Sequence, residues 1–159
     1  MIRIGQTAPH FRAPALVDGT LRYINSTQFS AHWVMLCFVP RLGLVETSFL
    51  DRQANSRHFA RHGCSLLAVA SAGNTLHQPW LGRIGRMKPI LLADPLGHLH
   101  RAYRVSIDPT SRCRSFLTDP EGVLRFQIMH DLNGRGISVL SEILEATRRH
   151  PARVVCEHY

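Results

Sequence analysis

Cysteine is the residue type in this chain with the most direct chemistry, because its thiolate is a nucleophile and a metal ligand. The sequence contains no CxxC pair and no cysteine–histidine spacing typical of a zinc site. Cys37 lies inside the apolar run WVMLCFV and Cys64 directly precedes SLLAVA, so we interpret both as small core residues. The other two cysteines, Cys113 and Cys156, are the candidates for chemistry.

Cys113 stands between two arginines, Arg112 and Arg114. Guanidinium groups favour a thiolate over a thiol, so Cys113 is the best candidate for a reactive sulfur. Neighbouring residues of a strand point to opposite faces, so either Cys113 points inward and both arginines outward, or the reverse. Cys156 lies near the end of the chain.

Other candidate constellations are weaker. His98 and His100 are two residues apart, which on a helix places them on different faces, so they do not predict a metal site. The glycine-rich segment 134–136 lacks the context of a phosphate-binding loop. We therefore expect neither a metal nor an organic cofactor.

The composition indicates one globular domain over residues 1–159, since 45% of the residues are hydrophobic. The formal net charge is +8, but the arginines are dispersed, which argues against a nucleic-acid surface. No apolar run approaches the roughly 20 residues that span a bilayer, and no signal-like core begins the chain. We expect a cytoplasmic protein with mostly reduced cysteines and no membrane partner.

Buried strands alternate with helical segments along the chain. After an irregular N-terminal segment with Pro9, Pro14 and Gly19, the patterns predict four helices, at 48–62, 74–86, 96–103 and 137–149. This order favours parallel βαβ units, closed by a hairpin whose turn is Asp119-Pro120-Glu121-Gly122. The fold class is therefore α/β with a mixed sheet, in which 33–39, 65–70 and 89–93 are the central strands. The predicted strands are 21–24, 33–39, 65–70, 89–93, 115–118 and 123–129.

Six segments, in the correct order, resemble the peroxiredoxins of the alkyl hydroperoxide reductase C or thiol-specific antioxidant group, two-cysteine type. They include GQTAPHF, FVP at 38–40, HGCSLLAVA, KPILLADPLGHLHRAYRV and SFLTDPEGVLRFQIMHDLNGRG. The sixth is the tail, residues 150–159, where HPARVVCEHY is similar to the segment that carries the family's resolving cysteine, here Cys156. By this resemblance, Cys156 either is a tail cysteine of no importance or forms a disulfide with Cys113 or with a partner protein. The resemblance implies a thioredoxin-like three-layer sandwich, a redox and antioxidant lineage, and a homo-oligomer, either a dimer or a ring of dimers.

The chain departs from this pattern in the loop where the family carries proline, threonine and the peroxide-attacking cysteine. Pro40 is present, but Leu44 takes the threonine position and Thr47 the cysteine position. The segment is about two residues shorter than usual in the family, so the alignment can slip and place Val45 or Glu46 there instead. None of these residues is a cysteine. The family's arginine, six residues before Asp119, corresponds to Cys113, and a shift of one residue would restore Arg112 or Arg114.

Two functions remain open. The first is a peroxiredoxin-like protein with a degenerate peroxidase site and a binding or regulatory role. The alternative is a thiol-dependent peroxidase or oxidoreductase with a relocated thiol, in which Cys113 attacks and Cys156 resolves. Whether the chain is an enzyme depends on which is correct.

Overall fold

Seven strands and four short or medium helical segments make up the described part of the chain. The strands are β1 (Arg12–Val17), β2 (Thr20–Asn25), β3 (Trp33–Val39), β4 (Cys64–Ser71), β5 (Ile90–Asp94), β6 (Arg112–Thr118) and β7 (Leu124–Asp131). The helices are a 3-10 turn (Ser26–Phe29), α1 (Gln53–Arg61), α2 (His98–Ala102) and α3 (Gly134–Arg149). This computed structural model describes residues 2–17, 20–39, 53–71, 90–94, 96–105, 112–131 and 134–149.

The strands form one mixed sheet in the order β2-β1-β5-β4-β3-β6-β7. β3 and β5 flank β4, and both pair with it in parallel. β6 is antiparallel to β3, and β1 is antiparallel to β5. The predicted central strands are therefore confirmed. Strands covered on both faces are apolar throughout, which explains the continuous hydrophobic run of β3.

Each face of the sheet carries its own hydrophobic core. On the first face, Phe59 of α1 and Leu140 and Leu144 of α3 pack against alternate residues of β3, β4, β6 and β7. On the second face, Leu99 of α2 and the N-terminal segment cover Phe38, Leu67 and their neighbours. Helices therefore lie on both faces of the sheet, which gives three layers.

One strand was not predicted. Residues 12–17 were expected to be irregular because of Pro14, yet they form β1, which pairs with β2 along its whole length. The pairing of β1 with β5 involves Ala15 and Leu16, so Pro14 lies just before it. A proline without an amide hydrogen is tolerated where the strand has only one paired neighbour.

Element ends agree with the predictions to within a few residues. Gly63 ends α1 with φ +68°, in the left-handed region that glycine tolerates best. The hairpin turn is closed by the Gly122 amide, which donates to the carbonyl of Asp119. β6 begins at Arg112, three residues earlier than predicted. Residues 48–52 of the first predicted helix, the predicted helix at 74–86 and the tail at 150–159 lie outside the described residues.

None of the helices among these residues combines the length and the apolar character needed to cross a membrane.

Candidate functional site

The family's reactive groups were expected in the segment that follows β3, residues 40–52. The structure describes β3 as far as Val39 and the chain again from Gln53, on the two sides of this loop. Five predicted site residues lie outside the described part of the chain, namely Pro40, Leu44, Glu46, Thr47 and Cys156. The candidate site is therefore built from the side chains of the strands.

Cys113 points into the first core and is 0% exposed. It shares that cluster with Phe59 of α1 and lies opposite His130 in the β6–β7 register. Of the two orientations that the sequence left open, the structure has the cysteine facing inward. An antiparallel partner strand and the helices enclose the Cys113 side chain.

Arg114 lies on the opposite face of β6 from Cys113. It pairs in register with Phe38 of β3, and its side chain is partly exposed. Arg112 begins the strand, and its side chain is outside the described set. Because Arg114 and Cys113 point to different faces, the Arg114 guanidinium cannot directly contact the Cys113 thiol within the strand geometry.

A line of polar groups crosses the first face between β3 and β7. Ser115 Oγ and His130 Nε2 form a buried hydrogen bond of 2.6 Å. Ser115 also pairs in register with Cys37 and hydrogen-bonds to its thiol. Burial raises the pKa of Cys37 to about 11, although the Ser115 hydrogen bond opposes the shift. A thiol with this pKa is protonated at neutral pH and is a poor nucleophile.

Cys64 lies at the start of β4 and is 3% exposed. Burial raises its pKa to about 12, and the neighbouring Cys37 adds to the shift, while a Met35 backbone hydrogen bond and Arg148 oppose it. Cys37 is 6% exposed. The prediction that Cys37 and Cys64 are small core residues is confirmed.

A second polar pair lies on the other face, at the end of β5. His100 Nδ1 donates to Asp94 Oδ2 at 2.6 Å, and both residues are buried. Asp94 also accepts the backbone amides of Leu99 and His100, so it caps the short helix α2. Burial raises the pKa of Asp94, but these hydrogen bonds outweigh it and hold the pKa below its ordinary value. The His100 ring packs edge-on against Phe38 at a centroid distance of 5.0 Å.

The sequence of the chain matches a known protein family. The family model described as AhpC/TSA family covers residues 4–127. The chain belongs to the AhpC/TSA family. It is 29% identical over 155 residues to Peroxiredoxin-2 of Macaca fascicularis, which covers 91% of this chain and 78% of the relative. It is also 29% identical over 154 residues to a thioredoxin peroxidase of Echinococcus granulosus, with 90% and 80% of the two chains covered.

Solved structures agree with this family. AhpC of Enterococcus faecalis superposes with a TM-score of 0.77 at 27% identity, covering 99% of this chain and 100% of its own. The reduced 2-Cys peroxiredoxin of Plasmodium vivax gives a TM-score of 0.79 at 23% identity, with 96% and 100% covered. The predicted thioredoxin-like α/β sandwich is confirmed.

Two features of this AhpC/TSA domain were not predicted from the sequence. Asp94 and His100 form a buried pair, although the sequence offered only an acid and a histidine six residues apart. Ser115 and His130 come together through strand pairing, and their spacing in the chain carries no local signal. The expected separation of His98 and His100 is confirmed, since His98 is exposed and His100 buried.

Proposed function

We propose that this AhpC/TSA protein is not a peroxidase of the family's usual kind and acts as a binding or regulatory protein of the peroxiredoxin lineage. The observation that carries the proposal is in the sequence, where no residue from 38 to 63 is a cysteine. That interval contains the position at which the resemblance places the attacking thiol. Without the nucleophile the covalent step is lost, and supporting groups cannot replace it.

The environment of the described thiols supports this proposal. Cys37, Cys64 and Cys113 are all buried. Peroxide cleavage requires a thiolate aligned with the O–O bond and donors that stabilise the departing oxygen. Burial shifts the pKa of Cys37 and Cys64 to about 11 and about 12, away from the thiolate.

One observation favours the alternative function, a thiol oxidoreductase with a relocated nucleophile. Cys113 occupies the β6 position that the resemblance assigns to the family's arginine, on the face that α1 covers. In that reaction the Cys113 thiolate attacks one peroxide oxygen, the O–O bond breaks, and water or an alcohol leaves. Cys156 then attacks the resulting sulfenic acid, which releases water and forms a disulfide. This function requires the pocket around Cys113 to open.

Thiol loss after mixing reduced protein with hydrogen peroxide separates the two functions. The parent, Cys113→Ser and Cys156→Ser are compared, and Ser30→Ala is the matched control because its side chain is exposed. The proposed function expects slow loss in all four proteins. Fast loss in the parent and in Ser30→Ala that disappears in Cys113→Ser contradicts it and supports the relocated thiol. Fast loss that survives both cysteine changes also contradicts it, and assigns the reaction to Cys37 or Cys64.

We further propose that the protein is a homo-oligomer, a dimer or a ring of dimers, and that a thiol partner protein could engage Cys156. The outer edge of β7 pairs with no other strand of the described set, and Met129 on that strand is 45% exposed. An unpaired strand edge is a common place for subunits to join. Light scattering at tens of micromolar tests this, and a monomer would contradict it.

A further inference from the structure

Two histidines and a glutamate meet where α1 packs beside α3. His58 lies in the last turn of α1, and His62 directly follows the end of that helix. The two rings are in contact, with centroids 4.9 Å apart. Glu145 reaches them from α3. One ligand atom from each of the three side chains lies within 4.8 Å of the other two. Cys113 is not one of the three residues of this cluster.

The distances within the cluster suit one metal ion. His62 Nε2 and Glu145 Oε1 are 3.4 Å apart. Two ligands at about 2.0–2.1 Å from a tetrahedral zinc ion are separated by about 3.3–3.4 Å. The third donor, from His58, lies within 4.8 Å of the other two. The end of α1 and the facing turn of α3 therefore hold the three donors near the geometry that an ion requires.

The cluster lies over buried apolar residues on one side and is open to solvent on the other. Phe59 and Leu144, next to the cluster on the two helices, are fully buried and hold the helices together. The three donor side chains themselves are partly exposed, so an ion can reach them from solvent. Ser141 hydrogen-bonds to His58 Nε2, which orients that ring. Outer hydrogen bonds of this kind are typical of histidine ligands.

We propose that His58, His62 and Glu145 form a binding site for a divalent transition-metal ion of the zinc class. Imidazole nitrogens with one carboxylate suit zinc, whereas magnesium and calcium prefer oxygen ligands alone. Three protein ligands leave a fourth position for water or for a donor from a bound molecule. The sequence signal of this site is the H-x3-H spacing of His58 and His62 at the end of α1. His98 and His100 are only two residues apart.

Binding requires one rearrangement, at His62. Arg148 donates from Nη1 to His62 Nδ1 at 3.2 Å, which leaves the ring proton on Nε2, toward Glu145. On binding, Nε2 gives its lone pair to the metal and the proton moves to Nδ1. Arg148 is exposed and turns away from the ring. No group is oxidised or reduced.

Isothermal titration of the full chain with zinc chloride tests the site. The parent is compared with His62→Asn and Glu145→Gln, and the matched controls His98→Asn and Glu142→Gln alter exposed side chains outside the cluster. Zinc affinity is expected to fall at least about tenfold in both cluster variants, since loss of even an outer partner costs about 10–100-fold. It is expected to stay unchanged in both controls.

Cobalt absorption provides a second readout that separates this site from the thiols. Cobalt bound by nitrogen and oxygen lacks the strong sulfur-to-metal charge-transfer band of a cysteine site. The expected spectrum has visible bands without that feature, and it is lost in Glu145→Gln. Three results would overturn the proposal. They are a thiolate band in the cobalt spectrum, equal zinc affinity in the parent and Glu145→Gln, and a loss of zinc affinity in His98→Asn equal to that in the cluster variants. Circular dichroism checks that Glu145→Gln is folded. We expect it to be, because glutamine has nearly the same shape as glutamate.

Discussion

Ser115 Oγ and His130 Nε2 are 2.6 Å apart inside the first core, where strands β6 and β7 pair. Ser115 also hydrogen-bonds to the Cys37 thiol on β3, so one hydroxyl joins polar groups from three adjacent strands. Polar groups buried in a hydrophobic core are costly unless they are hydrogen-bonded to one another. This line of contacts therefore fixes how β3, β6 and β7 align.

Replacing Ser115 with alanine is expected to destabilise the protein by about 1–3 kcal/mol, because a buried hydrogen-bonding partner of both Cys37 and His130 is removed. Urea unfolding followed by circular dichroism measures the change. The exposed residue Ser30 provides the control, since Ser30→Ala should stay within about 0.5 kcal/mol of the parent. Equal stability of Ser115→Ala and the parent would show that the hydroxyl contributes nothing to the fold.

Asp94→Asn is expected to cost about 1–3 kcal/mol at pH 7, because the charged acceptor of the His100 ring and of two amides is lost. The folded-state pKa of Asp94 lies below its ordinary 3.8, so its carboxylate stabilises the fold above that value. This contribution disappears as pH falls through the folded-state pKa. The difference in free energy of unfolding between the parent and Asp94→Asn should therefore become smaller at acidic pH.

Urea unfolding at a series of pH values between about 2 and 7 measures that difference. Glu142→Gln, at an exposed position of α3, removes a carboxylate of the same charge and should show no comparable difference. A difference that grows as the pH falls would contradict the assignment of a stabilising carboxylate at Asp94.

The three described cysteines are expected to resist alkylation in the folded protein. With a pKa of about 11, only about one Cys37 thiol in a thousand is ionised at pH 8, and burial blocks access as well. Mass spectrometry after iodoacetamide treatment should find Cys37, Cys64 and Cys113 unmodified in buffer and modified in denaturant. Rapid labelling of Cys113 in buffer would show that its pocket opens, as the relocated-thiol function requires.

Gly122 closes the hairpin turn between β6 and β7 with φ +81°. A Cβ there would meet no atom within 4 Å, so a substitution is opposed only by its backbone conformation. Gly122→Ala is expected to lower stability by about 1–2 kcal/mol, and Gly122→Asn by less, because asparagine tolerates the left-handed region. Thermal unfolding compares the two, and equal effects would contradict a purely conformational origin.

The central sheet could be predicted because burial on both faces leaves a local signature. β3 is apolar throughout, and β4 and β5 are largely so. Because helix-forming segments separate these strands, their central position and parallel pairing could be predicted from sequence. β1 could not be predicted in this way, since Pro14 suggests irregular structure. Its strand conformation depends on β2 and β5, which lie elsewhere in the sequence.

The site was less predictable than the fold. The sequence identified Cys113 but not its orientation, because alternation along a strand does not tell which face meets the helices. The Asp94–His100 pair depends on the turn that brings α2 back over the end of β5. The Ser115–His130 contact depends on the register of two strands. Each of these is a tertiary contact, so it could not be predicted from composition or from the spacing of residues along the chain.

The sheet order has a consequence for how the chain folds during synthesis. β1 and β2 emerge from the ribosome first, yet β1 must pair with β5, where Ala15 meets Leu92. Until β5 has been made, the N-terminal hairpin presents an unpaired edge, and the small side chains of Ala13 and Ala15 have no core to enter. Long-range pairing of this kind slows folding and leaves nascent chains open to aggregation. The hairpin that is translated before the other strands thus completes its pairing only after β5 has been synthesised.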